Sequence, residues 1–162
     1  MKKHLFLFLV FTSITITVNG QNLFFIGEKS FPSTESYSLD ANSRSENDLN
    51  IAFAKDAVSA FVAVRLKIGY TNQFHGKLII YLNDGNVISL DDQIVRDYVD
   101  GIASAVYLLP KEDLLKMEEG NINTVRYSML LVNGMAGAGS GNYSSTNRSN
   151  INFPVILSDF YK

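Results

Sequence analysis

The chain has 162 residues, with 14 Lys and Arg against 16 Asp and Glu, 46% hydrophobic and 12% aromatic residues, and neither Cys nor Trp. That balance belongs to a packed domain and not to a disordered or fibrous chain. The lack of cysteine excludes disulfides, zinc–cysteine sites, iron–sulfur clusters, thiol nucleophiles and lipid attachment at an N-terminal cysteine, so stability must come from a packed core.

Residues 1–20 read as a secretory signal peptide. Lys2 and Lys3 form a basic head, Leu5 to Phe11 is an uninterrupted apolar run, and Val18-Asn19-Gly20 places small or permissive residues at the cleavage-reading positions. That run falls well short of the ~20 apolar residues of a bilayer-spanning helix. The expectation is a cleaved leader followed by one domain over 21–162, with no transmembrane segment in the mature protein and a secreted or periplasmic location. Removing Lys2 and Lys3 from the 14 basic residues leaves 12 against 16 acidic ones, a formal charge of −4. Nothing in this balance supplies the clustered Lys and Arg by which nucleic acid or an anionic membrane surface is bound.

Along the mature chain, 22–26 is a short apolar run broken at Phe31-Pro32-Ser33, and 35–48 is polar and reads as a surface loop. Leu49, Ile51 and Phe53 then alternate with Asn50, Ala52 and Ala54. Val58, Ala60, Val62, Val64, Leu66 and Ile68 alternate with residues that include Ser59, Arg65 and Lys67. Two half-buried strands pairing across Lys55-Asp56 are expected. A helical stripe through Ala54, Val58, Phe61 and Val62 competes, but Arg65 interrupts it and β-branched residues dominate the second half.

The apolar runs 77–82 and 87–90 flank Asn83-Asp84-Gly85-Asn86, whose Asp-Gly pair predicts a β-hairpin. A polar stretch with Asp91, Asp92, Arg96 and Asp97 follows, and Gly101 opens a strand over 102–109. Pro110 predicts a helix start. Glu112 and Asp113 complement its first turn, Leu114, Leu115 and Met117 form its buried stripe, and Gly120 stops it. Strand character returns over 122–132, with Val125, Tyr127, Met129 and Leu131 on one face and Arg126 and Ser128 on the other. The Gly/Ala/Ser/Asn-rich stretch 133–150 reads as a flexible loop that a short turn should replace for only ~1 kcal/mol. Residues 153–157 read as a last strand, entered or edged by Pro154. The fold class is mainly β, a single β-sandwich-like domain with one short α-helix.

The segment Tyr107-Leu108-Leu109-Pro110-Lys111-Glu112-Asp113-Leu114-Leu115-Lys116-Met117, with Ile122 and Val125-Arg126-Tyr127, resembles a strand-helix-strand pattern of small exported proteins of Bacteroidetes-type bacteria, many of unknown function. The resemblance covers residues 107–127. It implies an exported bacterial protein and carries over no catalytic residue.

Few residues are equipped for chemistry. His75, the one histidine left after the leader is removed, stands between Phe74 and Gly76 with no G-x-S-x-G elbow in the chain, and an H-E-x-x-H zinc site is impossible. It is expected in a loop or at a strand edge. The run from Gly134 to Gly141 has the glycines of a phosphate loop, yet no Lys-Ser or Lys-Thr follows and Asn142 stands at the third dinucleotide glycine, so it reads as loop. Asp84, Asp91, Asp92, Asp97 and Asp100 are the ligand type that calcium takes, but their spacing does not match D-x-[DN]-x-[DN]-G and they read as solvated turn charges. Glu112 with Asp113 and Glu118 with Glu119 are sequence neighbours that point apart on a helix. Asn142-Tyr-Ser and Asn147-Arg-Ser have the form of glycosylation sequons, and the tyrosines are expected to pack with the hydroxyl at the rim.

No catalytic, cofactor-binding or metal-binding residue is assigned, and no cofactor is expected. The reading is an exported non-catalytic domain that binds a protein or a cell-envelope component through its sheet face or its glycine-rich segment. The alternative is a small secreted carboxylate-dependent hydrolase. An exposed apolar patch favours the first, and a cleft holding two carboxyl groups from different strands favours the second. N-terminal sequencing of exported protein is expected to return Gln21-Asn22-Leu23; material that begins at Met1 would remove the leader assignment.

Overall fold

The computed structural model describes residues 22–68, 72–131 and 141–162. The expected leader at 1–20 and the glycines at 134–139 lie outside these residues. In chain order the elements are β1 (Asn22–Ile26), β2 (Lys29–Ser33), β3 (Tyr37–Ala41), β4 (Leu49–Lys55), β5 (Ala60–Lys67), β6 (Asn72–Leu82), β7 (Val87–Leu90), β8 (Arg96–Val99), β9 (Ile102–Leu109), α1 (Lys111–Glu119), β10 (Ile122–Leu131), β11 (Gly141–Thr146) and α2 (Phe153–Tyr161). The chain is mainly β and forms one domain. Its strands make one large antiparallel sheet in the order β7-β6-β10-β11-β3-β4-β5-β9-β8, with the β1–β2 hairpin joined to β4 where Ser33 faces Ala54.

The period-two pattern decides what faces inward. Leu49, Ile51 and Phe53 of β4, Val62, Val64 and Leu66 of β5, Leu78 and Ile80 of β6, and Val125 and Tyr127 of β10 all join one buried cluster. The sheet bends back on itself so that β6 and β7 lie against β9, and its two halves enclose that core in the manner of a sandwich. The two helices pack on each other and send Met117, Phe153 and Leu157 into the same cluster. A second, smaller cluster lies on the outer face of β4, β5 and β9, where Phe24 and Ile26 of the hairpin cover Ala52, Ala63 and Val106.

The predicted hairpin is present, with Tyr81 opposite Val87 and Gly85 at φ +92°. Strand β9 starts after Gly101, whose φ is +77°, and α1 is flanked by Pro110 at its N-cap and Gly120 at its C-cap. Elsewhere the local readings need correction. The break at Phe31-Pro32-Ser33 is strand β2, with Pro32 opposite Leu23. The polar stretch 35–48 contains β3, which buries Leu39 completely. Val58 lies in the β4–β5 turn and is 91% exposed, because the Asp56 carboxylate accepts from the Val58 and Ser59 amides at 2.9 and 2.7 Å and holds the turn open to solvent. In α1, Leu115 points outward, while Asp113 is buried and pairs with Lys116 at 2.6 Å.

The largest corrections concern the C-terminal quarter. Within the stretch read as a loop, β11 pairs with β10 from Thr124↔Thr146 to Met129↔Gly141 and with β3 at Ser145↔Ala41. Thus 141–146 is an interior strand of the sheet and Ser145 is fully buried. The segment read as a last strand is helix α2, so the described residues hold two helices where the sequence pattern predicts one. Asn152 caps it by accepting from the Val155 amide, Pro154 sits in the first turn where its missing N–H is harmless, and Phe153 and Leu157 share its buried face.

Two asparagines tie this region together. The buried Asn147 amide donates to the carbonyls of Ile122 and Ile151 at 3.0 and 2.9 Å and accepts from the Ile151 amide at 2.9 Å. Asn121 donates to the Ile151 carbonyl at 2.9 Å and accepts from the Phe153 amide at 3.1 Å. The second sequon asparagine is therefore enclosed and engaged. Asn147→Ala should cost about 3 kcal/mol, because it strands buried backbone groups, and Val64→Asp should prevent folding by placing an unpaired carboxylate in the core. Urea titration checks both; an unchanged midpoint in either variant contradicts the corresponding placement.

Candidate functional site

The hairpin covers only part of the outer sheet face. Beside the covered row lies a polar one, because Arg65 of β5 stands opposite Ser104 of β9, which stands opposite Asp97 of β8. Alternation on β1 turns Phe24 and Ile26 inward and leaves Leu23 and Phe25 outward. The result is a cleft of about 290 Å³ with Arg65, Ser104, Asp97, Asp100 and Gly27 as its polar lining and Phe25, Val99 and Ile102 as its apolar rim. These three apolar side chains are 58%, 56% and 38% exposed.

Both charged groups of the row help to hold the hairpin. The Arg65 guanidinium lies 4.0 Å from the centre of the Phe24 ring and donates to the Phe25 carbonyl at 3.4 Å. Burial lowers the Arg65 pKa from its ordinary value, and among the described residues no carboxylate lies within ion-pair distance of it. Asp97 accepts from the amides of Gly27 and Tyr98, both at 2.8 Å. Gly27, at φ +54°, forms the hairpin turn, so the carboxylate clamps that turn to strand β8.

The five aspartates do not converge. Asp84 binds the backbone amide and side-chain amide of Asn86 in the β6–β7 turn, which holds its carboxyl below the usual range. Asp91 pairs with Lys77 at 2.9 Å on the surface. Asp92 accepts from the Gly76 and Ile94 amides and from Arg96. Asp97 and Asp100 border one cleft, but both Asp97 oxygens already hold N–H groups. Among the described residues no group of three His, Asp or Glu is placed to hold a metal ion. His75 is exposed on β6, opposite Ser128. The acidic pairs on α1 do not meet either, since Glu112 is exposed while Asp113 is buried against Lys116.

A larger cleft, about 450 Å³, opens between the β4–β5 turn, the end of β9 and the start of α1. Three of its polar groups serve the fold. Lys55 donates to the Phe160 carbonyl with its ammonium 4.4 Å from the Phe160 ring centre, Asp56 caps the turn, and the Tyr161 hydroxyl donates to the Ala54 carbonyl at 2.8 Å. The buried Tyr107 and Tyr127 and the half-buried Tyr161 are no better placed for proton transfer. Burial pushes Tyr127 up to about 12 and raises Tyr107 and Tyr161 as well, so all three remain neutral phenols near pH 7.

Among the described residues no helix is long and apolar enough to cross a membrane. Comparison with protein-family models, curated proteins and solved structures returns no match. In the sequence alone, Arg65 stands out only as the residue that interrupts a helical stripe. Its place in a cross-strand row depends on β8, which the local pattern does not reveal. Asp97→Ala should cost about 1–2 kcal/mol, the loss of a carboxylate that accepts two backbone N–H groups, and should speed hydrogen exchange at the Gly27 amide. Urea titration and amide exchange test this; unchanged exchange at Gly27 would contradict the clamp.

Proposed function

We propose that this protein is an exported, non-catalytic binding domain, of the Bacteroidetes-type class that residues 107–127 resemble, and that it holds a partner protein in the cleft beside the β1–β2 hairpin. The supporting observation is the exposure of Phe25, Val99 and Ile102 around an Arg65 that has no carboxylate partner among the described residues. Water is a poor environment for clustered apolar side chains, and such clusters with a polar lining favour protein contacts. An apolar side chain of the partner would enter between Phe25 and Val99, and an acidic group would face Arg65. The hydrolase alternative has less support, since the cleft brings together no two free carboxylates from different strands.

Affinity capture from envelope and culture fractions of the native organism tests this reading. The wild-type protein is expected to retain a protein in stoichiometric amount, and Phe25→Asp with Val99→Asp to reduce that retention by roughly tenfold or more, as the loss of a buried apolar contact implies. Equal retention by both proteins, or no protein retained by either, would overturn it.

A further inference from the structure

The outer face of the other half of the sheet has a different character. Arg126 of β10 donates to the Tyr81 hydroxyl of β6 at 3.2 Å and stands opposite Ser144 of β11. The Ser144 hydroxyl accepts from the Asn42 amide at 2.9 Å, and the Asn42 carbonyl oxygen accepts from Arg148 at 3.0 Å. Tyr81, Arg126, Ser144, Asn42 and Arg148 therefore line up as a polar track across the strands, hydrogen-bonded except between Arg126 and Ser144, which are register partners. Thr146 extends it sideways, bonding to Asn42 and Thr124, and Asn142 lies alongside, its carbonyl oxygen taken by Ser128.

Two features of the track select an occupant. Arg126 and Arg148 are exposed, and among the described residues neither has a carboxylate within ion-pair distance. The half-buried Asp40 is the one carboxylate that β3, β10 and β11 bring to this face, opposite Thr146. The Arg126 guanidinium sits at the β6 end of the track, bonded to Tyr81, and the Arg148 guanidinium at the other end, bonded to Asn42. A linear acidic sugar polymer fits this arrangement: it repeats its carboxylates along a chain of hydroxyl groups, and Arg forks and amide or hydroxyl groups bind these two chemistries respectively. Nucleic acid does not fit, because its binding rests on many phosphate contacts and two cations supply few. The aliphatic neighbours of the track, Ile79 opposite Arg126 and Val87 opposite Tyr81, sit at its β6 end, and Ser144, Asn42 and Arg148 offer no apolar centre for a protein interface.

We propose that the track Tyr81–Arg126–Ser144–Asn42–Arg148 binds an acidic polysaccharide through its uronate carboxylates. This surface shares no residue with the hairpin cleft, and the two assignments stand or fall separately. Affinity electrophoresis of the full chain in native gels containing alginate tests it, with dextran as the neutral polymer and polyglutamate as an acidic polymer without sugar hydroxyls. Alginate should slow migration, dextran should not, and polyglutamate should act more weakly than alginate. Arg126→Gln with Arg148→Gln should raise the apparent Kd for alginate by roughly tenfold or more, in keeping with the removal of two charge-assisted hydrogen bonds to the polymer. Ser144→Val should weaken alginate binding while leaving the polyglutamate response unchanged. Circular dichroism melting of each variant reports folding, and Phe25→Asp should bind alginate as the wild type does. The proposal is overturned by unaltered mobility in alginate, by retardation that survives in a folded double arginine variant, or by equal retardation in polyglutamate.

Discussion

Strands β4, β5 and β9 are buried on both faces, and the arrangement of both outer surfaces follows from that. An antiparallel sheet commonly keeps one face wet. Here Ile51, Phe53, Val62 and Val64 fill the inner core, while Ala52, Ala63 and Val106 on the outer face are too apolar to leave in water and small enough to admit two large side chains. Phe24 and Ile26 supply them, each contributing about 2 kcal/mol by leaving solvent. A two-stranded hairpin is marginal alone; this one persists because its inner face completes that layer and because Asp97 and Arg65 fix its turn and its edge. Alternation along β1 then leaves Leu23 and Phe25 outside. The Phe25 side of the cleft's apolar rim is thus a by-product of the burial that holds the hairpin.

The other half of the sheet meets a different constraint. Strand β6 spans eleven residues and pairs with β10 through two register shifts, between Ile122 and Thr124 and between Arg126 and Ser128. Such irregularities increase local twist and let a long strand pair bend. Near the bend Gly76 adopts φ +70°, and its amide is held by Asp92, which also binds Arg96. The bend folds β6 and β7 over β9 and closes the core. It also directs the outer face of β10, β11 and β3 away from the hairpin, where polar side chains satisfy one another across strands and require no covering element.

How much of this is legible in the sequence depends on how far each signal extends along the chain. Strands β4, β5, β9 and β10 run for seven to ten largely apolar positions, so their strand character stands out. Helix α1 has its Pro and Gly punctuation. Strands β3 and β8 have five and four residues, and β8 buries none of them, so period two has nothing to act on. Strand β11 is Gly-Asn-Tyr-Ser-Ser-Thr, a composition typical of loops, and is held by neighbours on both sides together with the fully buried Ser145. Its partner β3 is the strand the pattern misses, so the two are invisible together. Helix α2 is obscured by Val155 and Ile156, whose strand preference yields to the Asn152 cap and to the four-residue spacing of Phe153 and Leu157. Arg65 and Ser104 belong to legible strands, but their alignment with Asp97 needs the missed β8. The polar track likewise needs β3 and β11.

Because the sheet folds back to bring its inner faces together, the two outer faces point in opposite directions. The apolar cleft belongs to β1, β5, β8 and β9, and the polar track belongs to β3, β6, β10 and β11. Occupation of one does not obstruct the other, and residues so separated contribute independently. Their coupling to stability differs as well. Arg65 packs on Phe24 and is part of the layer that keeps the hairpin in place, so a change there alters folding together with any proposed recognition. Arg126 and Arg148 project from a sheet whose core side is already complete, and surface positions of that kind change stability by only about 0.5 kcal/mol. The fold therefore places little constraint on the exposed arginines of the track, whereas the residues of the cleft are constrained first by the need to cover Ala52, Ala63 and Val106.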